Sequence, residues 1–229
     1  LLSRLFRLIA SSAVPGGGYL LGHWSPATAL ALYWFENLIG GFAMAIRISE
    51  HQRLTGDKEH RHPQLGFTMT TSSGGREKPV KFKSFFSEFL TGSTVFSAAH
   101  GVFLIVVLAA VVDRPDYAAL KEGAIAIALC HAISLTLDLF TIQNWPFDKV
   151  KTQAQTLIGR VILVQFALIG GTWWMVYRNS GASFFSVFVW LKAASDVGGL
   201  LSSMVGTTAP VVALDGAVER DPKRKKRKR

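Results

Sequence analysis

An all-α fold, a polytopic transmembrane bundle of about six helices with both termini cytoplasmic, is predicted by three observations. Long uncharged runs recur along the 229 residues, charged side chains make up only 17% of them, and the basic residues gather in alternate connectors. A soluble domain carries about 25% charged residues. Here 49% are hydrophobic and the mean hydropathy is +0.30.

Crossing a hydrocarbon core as a helix takes about 20 mostly apolar residues. Stretches 5–21, 27–48, 88–112, 123–142, 157–177 and 183–205 meet that need. They define one bundle over 1–205, a basic cytoplasmic loop over 49–83 and a flexible basic tail over 206–229. The first span contains Pro15-Gly16-Gly17-Gly18, which should kink or unwind it, a proline kink without function being the simpler reading. No small-residue cleavage site leads into a polar mature domain, so this stretch reads as a retained helix, and its leucine start leaves the true N-terminus open. Trp24 suits an interfacial turn.

The second span holds Tyr33-Trp34-Phe35-Glu36-Asn37 at its centre and ends at Arg47. The loop that follows is polar, with Thr70 to Gly75 as its flexible middle and with His51, His60 and His62 read as solvated. Glu88 lies at the entrance of the third span and His100 near its middle. His131 and Asp138 belong to the fourth span, Arg160 and Gln165 to the fifth, Lys192 and Asp196 to the sixth. Residues 113–122 and 143–156 are read as connectors, the latter with Trp145-Pro146 at the interface. Gly-Gly pairs at 40–41, 170–171 and 198–199 read as close-packing points between helices.

Loop charge orients the bundle. Arg4 and Arg7, eight Lys/Arg from Arg47 to Lys83, Lys149, Lys151 and Arg160, and eight from Arg220 to Arg229 fall on one side, against Arg114, Lys121 and Arg178 on the other. The positive-inside rule makes the crowded side cytoplasmic.

Composition also excludes. A single cysteine, Cys130, rules out a disulfide framework and a CxxC site. The net charge of +10 sits largely in the terminal Lys/Arg run, which after a last span marks a cytoplasmic end lying on anionic lipid. Nucleic acid is not an expected partner. No HExxH, GxSxG or phosphate loop occurs, so no enzymatic reaction follows and the balance tips against an enzyme.

An ionisable side chain at mid-membrane costs about 2.5–3.5 kcal/mol on insertion scales and is a functional-site hypothesis by default. Glu36, His100, His131, Lys192 and Asp196 fall near mid-depth, with Asn37, Asp138, Arg160 and Gln165 as supporting polar residues. Helical spacing puts Ser93, Ser97 and His100 on one stripe, His131, Ser134 and Asp138 on another, and Lys192, Asp196, Gly199 and Ser203 on a third. These stripes should converge inside the bundle. Lys192 with Asp196 forms a same-helix pair, and Arg160 lies at the right depth for Asp138. One protonated histidine balances the three acids against Arg160 and Lys192.

Three readings compete. In the first, a membrane-embedded binding or permeation protein takes a proton, an ion or a small polar ligand, with Glu36 as acceptor and His100 and His131 as titratable partners. In the second, the polar core is structural glue in an accessory or scaffold subunit that meets membrane-protein partners. In the third, His100 and His131, with or without Glu36, hold haem or a transition metal.

The element Tyr33-Trp34-x-Glu36-Asn37 resembles an uncharacterised bacterial family of polytopic membrane proteins, domain-of-unknown-function family 6498. The similarity continues through His100-Gly101, Gly159-Arg160 with Gly170-Gly171, and Lys192 with Asp196. It implies a bacterial inner-membrane location and a shared polar core, and no activity. The family pattern also implies histidines early in the third span and soon after the arginine of the fifth. This chain has Ser87-Glu88-Phe89-Leu90 and Val164-Gln165-Phe166 there, which speaks against a histidine-rich metal site.

Overall fold

A computed structural model describes residues 2–178 apart from 23, 57, 67–69, 74–75 and 111–113. The predicted sixth span with Lys192 and Asp196, and the tail 206–229, lie outside the described residues.

The described chain is helical. It comprises α1 (Leu2–Leu8), α2 (Val14–Leu20), α3 (Pro26–Thr55), α4 (Phe85–Ala110), α5 (Tyr117–Leu139) and α6 (Phe147–Arg178). Between α3 and α4 runs a small antiparallel hairpin, β1 (Thr70–Ser73) and β2 (Arg76–Pro79), with Thr70 opposite Pro79 and Ser73 opposite Arg76. Four helices, α3 to α6, are long and apolar enough to cross a membrane.

The break expected at Pro15 to Gly18 sits one turn earlier. Residues Ile9–Ala13 form a π-helical turn, closed by the Val14 N–H on the Ile9 carbonyl, and α2 then runs through the proline and glycines without unwinding. Proline removes its own N–H and crowds the carbonyl four residues back, so the preceding turn is the one that widens. Gly18 instead receives the Trp24 indole, which lies where a side chain would project.

Caps explain the helix ends. Ser25 accepts the Thr28 N–H and is followed by Pro26, which suits the first helical position. Gly56, at φ 61°, closes α3 in the left-handed region that glycine occupies without strain. Asp116 accepts from the Ala118 and Ala119 N–H groups to start α5, while its own N–H donates to Thr28 Oγ1. That bond ties the N-terminus of α3 to that of α5. The helices also begin earlier than the apolar runs do. Residues Tyr117 to Glu122 and Phe147 to Thr156, read as connectors, are helical. Helix bounds are set by capping groups, and span bounds by hydropathy.

α3 is the hub, packed against α2, α4, α5 and α6. Its apolar window is 56% buried, against 28–29% for the windows of the other three long helices. At one end of the bundle Met44, Ile48, Phe85, Phe89, Phe147 and Val150 form an apolar cluster. Toward the other end Leu30, Tyr33, Leu104, Val164 and Leu168 form a second. Successive long helices therefore run in opposite directions. Outside, Phe42, Val102, Ile105, Leu129 and Phe166 are 58–71% exposed, whereas Glu36, Arg47, His100, His131 and Asp138 are 2–4% exposed. Water-soluble folds show the reverse distribution, and large exposed apolar patches mark a membrane or partner surface.

Candidate functional site

The Tyr33-Trp34-x-Glu36-Asn37 element works because one turn of a central helix faces several neighbours. Tyr33 enters the second apolar cluster beside Leu104 and Val164. The Trp34 indole N–H donates to the Ser97 carbonyl on α4 at 3.0 Å and lies against Gly101. Asn37 lines a small gap with Ser93, Ser97, Leu157 and Val161, and its Nδ2 has no hydrogen-bond partner among the described residues. Glu36 turns toward α5.

There it meets His131. Glu36 Oε1 and His131 Nε2 lie 3.7 Å apart, and both side chains are 5% exposed. That separation allows an ion pair and is too long for a direct hydrogen bond. Neither ring nitrogen of His131 has a hydrogen-bond partner among the described residues. Gly40, one turn after Glu36, lies beside the same pair: a Cβ there would stand 3.5 Å from His131 Cε1 and 3.8 Å from Glu36 Oε1, ordinary contact distances. Gly41 and Gly170 face open space, so among the described residues of the predicted packing pairs Gly40 is the one in contact.

Seven residues further along α5, about 10 Å along its axis, lies a second polar layer. Asp138 Oδ2 accepts from Arg47 Nε at 2.8 Å and from an Arg7 guanidinium nitrogen at 2.5 Å. Ser134 Oγ accepts from the same two arginines at 3.2 and 3.4 Å. This layer joins α1, α3 and α5. It also corrects the expected pairing: the guanidinium groups on Asp138 come from Arg7 and Arg47, counted from sequence as loop charges, while Arg160 sits half-buried on α6.

The loop histidines are corrected too. His51 and His60 are 1% and 0% exposed, not solvated; His62 is exposed. His51 Nε2 lies 2.8 Å from the Trp145 carbonyl and His51 Nδ1 lies 2.8 Å from His60 Nε2. A carbonyl only accepts, so Nε2 of His51 carries the proton; with His51 neutral, His60 Nε2–H donates to the bare Nδ1. Phe85 and Phe147 pack edge-on against the His60 ring. Glu88, buried beneath the same loop, accepts the Gln64 and Leu65 N–H groups at 2.6 and 2.8 Å. The loop is thus strapped to α3, α4 and α6. Its aromatic and histidine content was the available signal, outweighed by its polar composition.

Of the nine predicted site residues, the structure brings Glu36 and His131 together, with Asn37 on the same turn. His100 is buried on α4; α4 and α5 both pack along α3 and have little contact with each other. Gln165 is half-buried on α6, and its Oε1 has no hydrogen-bond partner among the described residues. Among those residues no three His, Cys, Asp or Glu side chains converge closely enough to hold a metal ion. Lys192 and Asp196 lie outside the described residues.

The model of one family, described as a family of unknown function (DUF6498), matches residues 2–229. No curated protein and no solved structure matches the chain.

Proposed function

The chain belongs to DUF6498, and on that premise we propose that it is a multi-pass protein of the bacterial inner membrane, both termini cytoplasmic, that binds or conducts a small polar species. The apolar exterior and the segregation of loop charge support the membrane placement. Of the species in that class, the proton suits the buried pair best. A carboxylate and an imidazole interconvert between a neutral pair and an ion pair by passing one proton, and both forms are compatible with a low-dielectric site. One observation carries the reading: Glu36 and His131 face each other at 3.7 Å in the bundle interior, and the imidazole has no hydrogen bond among the described residues to fix its protonation state.

The test is proton flux into proteoliposomes loaded with a pH-sensitive dye, driven by a potassium diffusion potential. Wild-type protein should exceed empty liposomes, and Glu36→Gln and His131→Gln should return the rate to background while folding normally. Wild-type flux persisting in both folded variants overturns the reading.

A second reading, an accessory subunit with a structural polar core, draws on the Asp138 layer, where Arg7, Arg47 and Ser134 are mutually bonded as glue requires. Stoichiometric co-purification of another membrane protein in mild detergent would support it. The haem reading, in which His100 and His131 would be the ligands, would instead produce a Soret band in the purified protein.

A further inference from the structure

We propose that the interface of α3, α4 and α6 is a hydration site inside the bundle, which binds an ordered water on the Asn37 amide. The proposal rests on the membrane placement but not on proton movement at the Glu36–His131 pair, which lies between α3 and α5.

A gap of about 10 Å³ separates the three helices at this level. Asn37 on α3, Ser93, Phe96 and Ser97 on α4, and Leu157 and Val161 on α6 line it. A buried water needs about 10–15 Å³ and several polar partners. The volume admits one water and excludes an organic ligand. No ionisable side chain lines the gap, so its chemistry selects a neutral, hydrogen-bonding occupant.

The polar partners are in place. Asn37 is 6% exposed, and its Nδ2 has no hydrogen-bond partner among the described residues. An amide donor left so in an apolar surrounding costs free energy until something accepts from it. The Ser93 hydroxyl donates to the Leu90 carbonyl at 3.2 Å, which leaves the lone pairs of its oxygen as acceptors. Ser97 brings a second hydroxyl to the gap wall. Water accepts from the amide and donates to a hydroxyl, so one molecule answers both.

The same interface carries two more such groups. On α4, Ser93, Ser97, His100 and Leu104 follow at offsets of four, three and four and share one stripe. On α6, Val161, Gln165 and Leu168 follow at four and three. Both stripes begin at the gap and end in the apolar cluster that holds Tyr33, Leu104 and Leu168. His100 and Gln165 are the residues in between. His100 Nδ1 and Gln165 Oε1 are buried and have no hydrogen-bond partner among the described residues. Helical register therefore sets three polar atoms, on three helices, along one seam. Groups one turn apart are separated by about 5.4 Å, about twice the length of a hydrogen bond. A water can join groups at that spacing that cannot reach each other.

The experiment is X-ray hydroxyl-radical footprinting of the full chain in proteoliposomes, read by mass spectrometry. Radicals formed from a bound water oxidise the side chains beside it, so a residue shut off from bulk solvent is modified only where water is held. Phe96, in the gap wall, should be oxidised in the wild type. Tyr33, 1% exposed in the apolar cluster, and Phe166, 71% exposed on the outer surface, should not be. Asn37→Leu removes the amide and fills the gap, and should abolish the oxidation of Phe96 in protein that still folds. An unmodified Phe96 in the wild type overturns the proposal whatever the variant does, and so does oxidation that persists in folded Asn37→Leu. Oxidation of Phe166 together with Phe96 would overturn the membrane placement and this proposal with it, which keeps the two failures apart.

Discussion

Two polar layers lie on the same pair of helices, and they are built in opposite ways. At Asp138, one carboxylate oxygen and one serine hydroxyl hold two guanidinium groups, and helices α1, α3 and α5 are clamped together. At Glu36, one carboxylate faces one imidazole at 3.7 Å, across a glycine. The first layer has a single arrangement that satisfies it. In the second, acid and base face each other beyond direct hydrogen-bond distance. A buried ion network bonded across three helices specifies register, whereas the buried acid–imidazole pair is the one to which proton chemistry is proposed. Burial alone does not distinguish them, since Glu36, His131 and Asp138 are all 3–4% exposed.

That contrast makes its largest prediction at the clamp. Asp138→Ala leaves Arg7 and Arg47 without their shared acceptor and should cost about 3–5 kcal/mol, read as loss of folded yield and a lower unfolding temperature in detergent. A stable Asp138→Ala variant would mean that the clamp is dispensable. The loop strap comes next. His60→Ala strips the donor from His51 Nδ1 and opens a gap against Phe85 and Phe147, at about 2–3 kcal/mol. Accelerated proteolysis between residues 56 and 83 is the check.

A smaller loss is expected at Gly101→Ala. The added Cβ would stand 3.0 Å from the Trp34 indole, itself held by Ser97, so overpacking should cost about 1–2 kcal/mol. Thermal unfolding of that variant beside Gly40→Ala sharpens the comparison, because at Gly40 the nearest atom is at an ordinary 3.5 Å. Gly40→Ala should shift stability by less than about 0.5 kcal/mol, alanine being the better helix former. Glu36→Gln should cost less than Asp138→Ala, since the amide keeps the shape of the side chain and still hydrogen-bonds. It is expected to abolish flux nonetheless. A Glu36→Gln protein that unfolds as readily as Asp138→Ala would erase the distinction between the two layers.

The residues that form the layers were legible to unequal degrees. Glu36 and His131 stand out in apolar runs, because an ionisable group in a span is conspicuous whatever it contacts. Arg7 and Arg47 were legible as charges but not as core residues: each lies toward one end of a predicted span, where a cation reads as an orienting charge. His51 and His60 were misread for a related reason. A polar segment of mixed composition looks solvated until the apolar cluster under it is known, and that cluster draws Phe85, Ile142 and Phe147 from distant parts of the chain.

Helical class and four long apolar helices were determined by the sequence alone, and the ends at Ser25–Pro26 and Gly56, not read from it, still depend only on local residues. Hydropathy over a window, a capping hydroxyl and a glycine's freedom are properties of neighbouring residues. Which acid meets which base was decided only by the tertiary structure. Asp138 lies 131 residues from Arg7 and 91 from Arg47 in the chain, and their meeting depends on which faces α1, α3 and α5 present to one another. That choice is made by side chains packing between whole helices, and no local pattern encodes it.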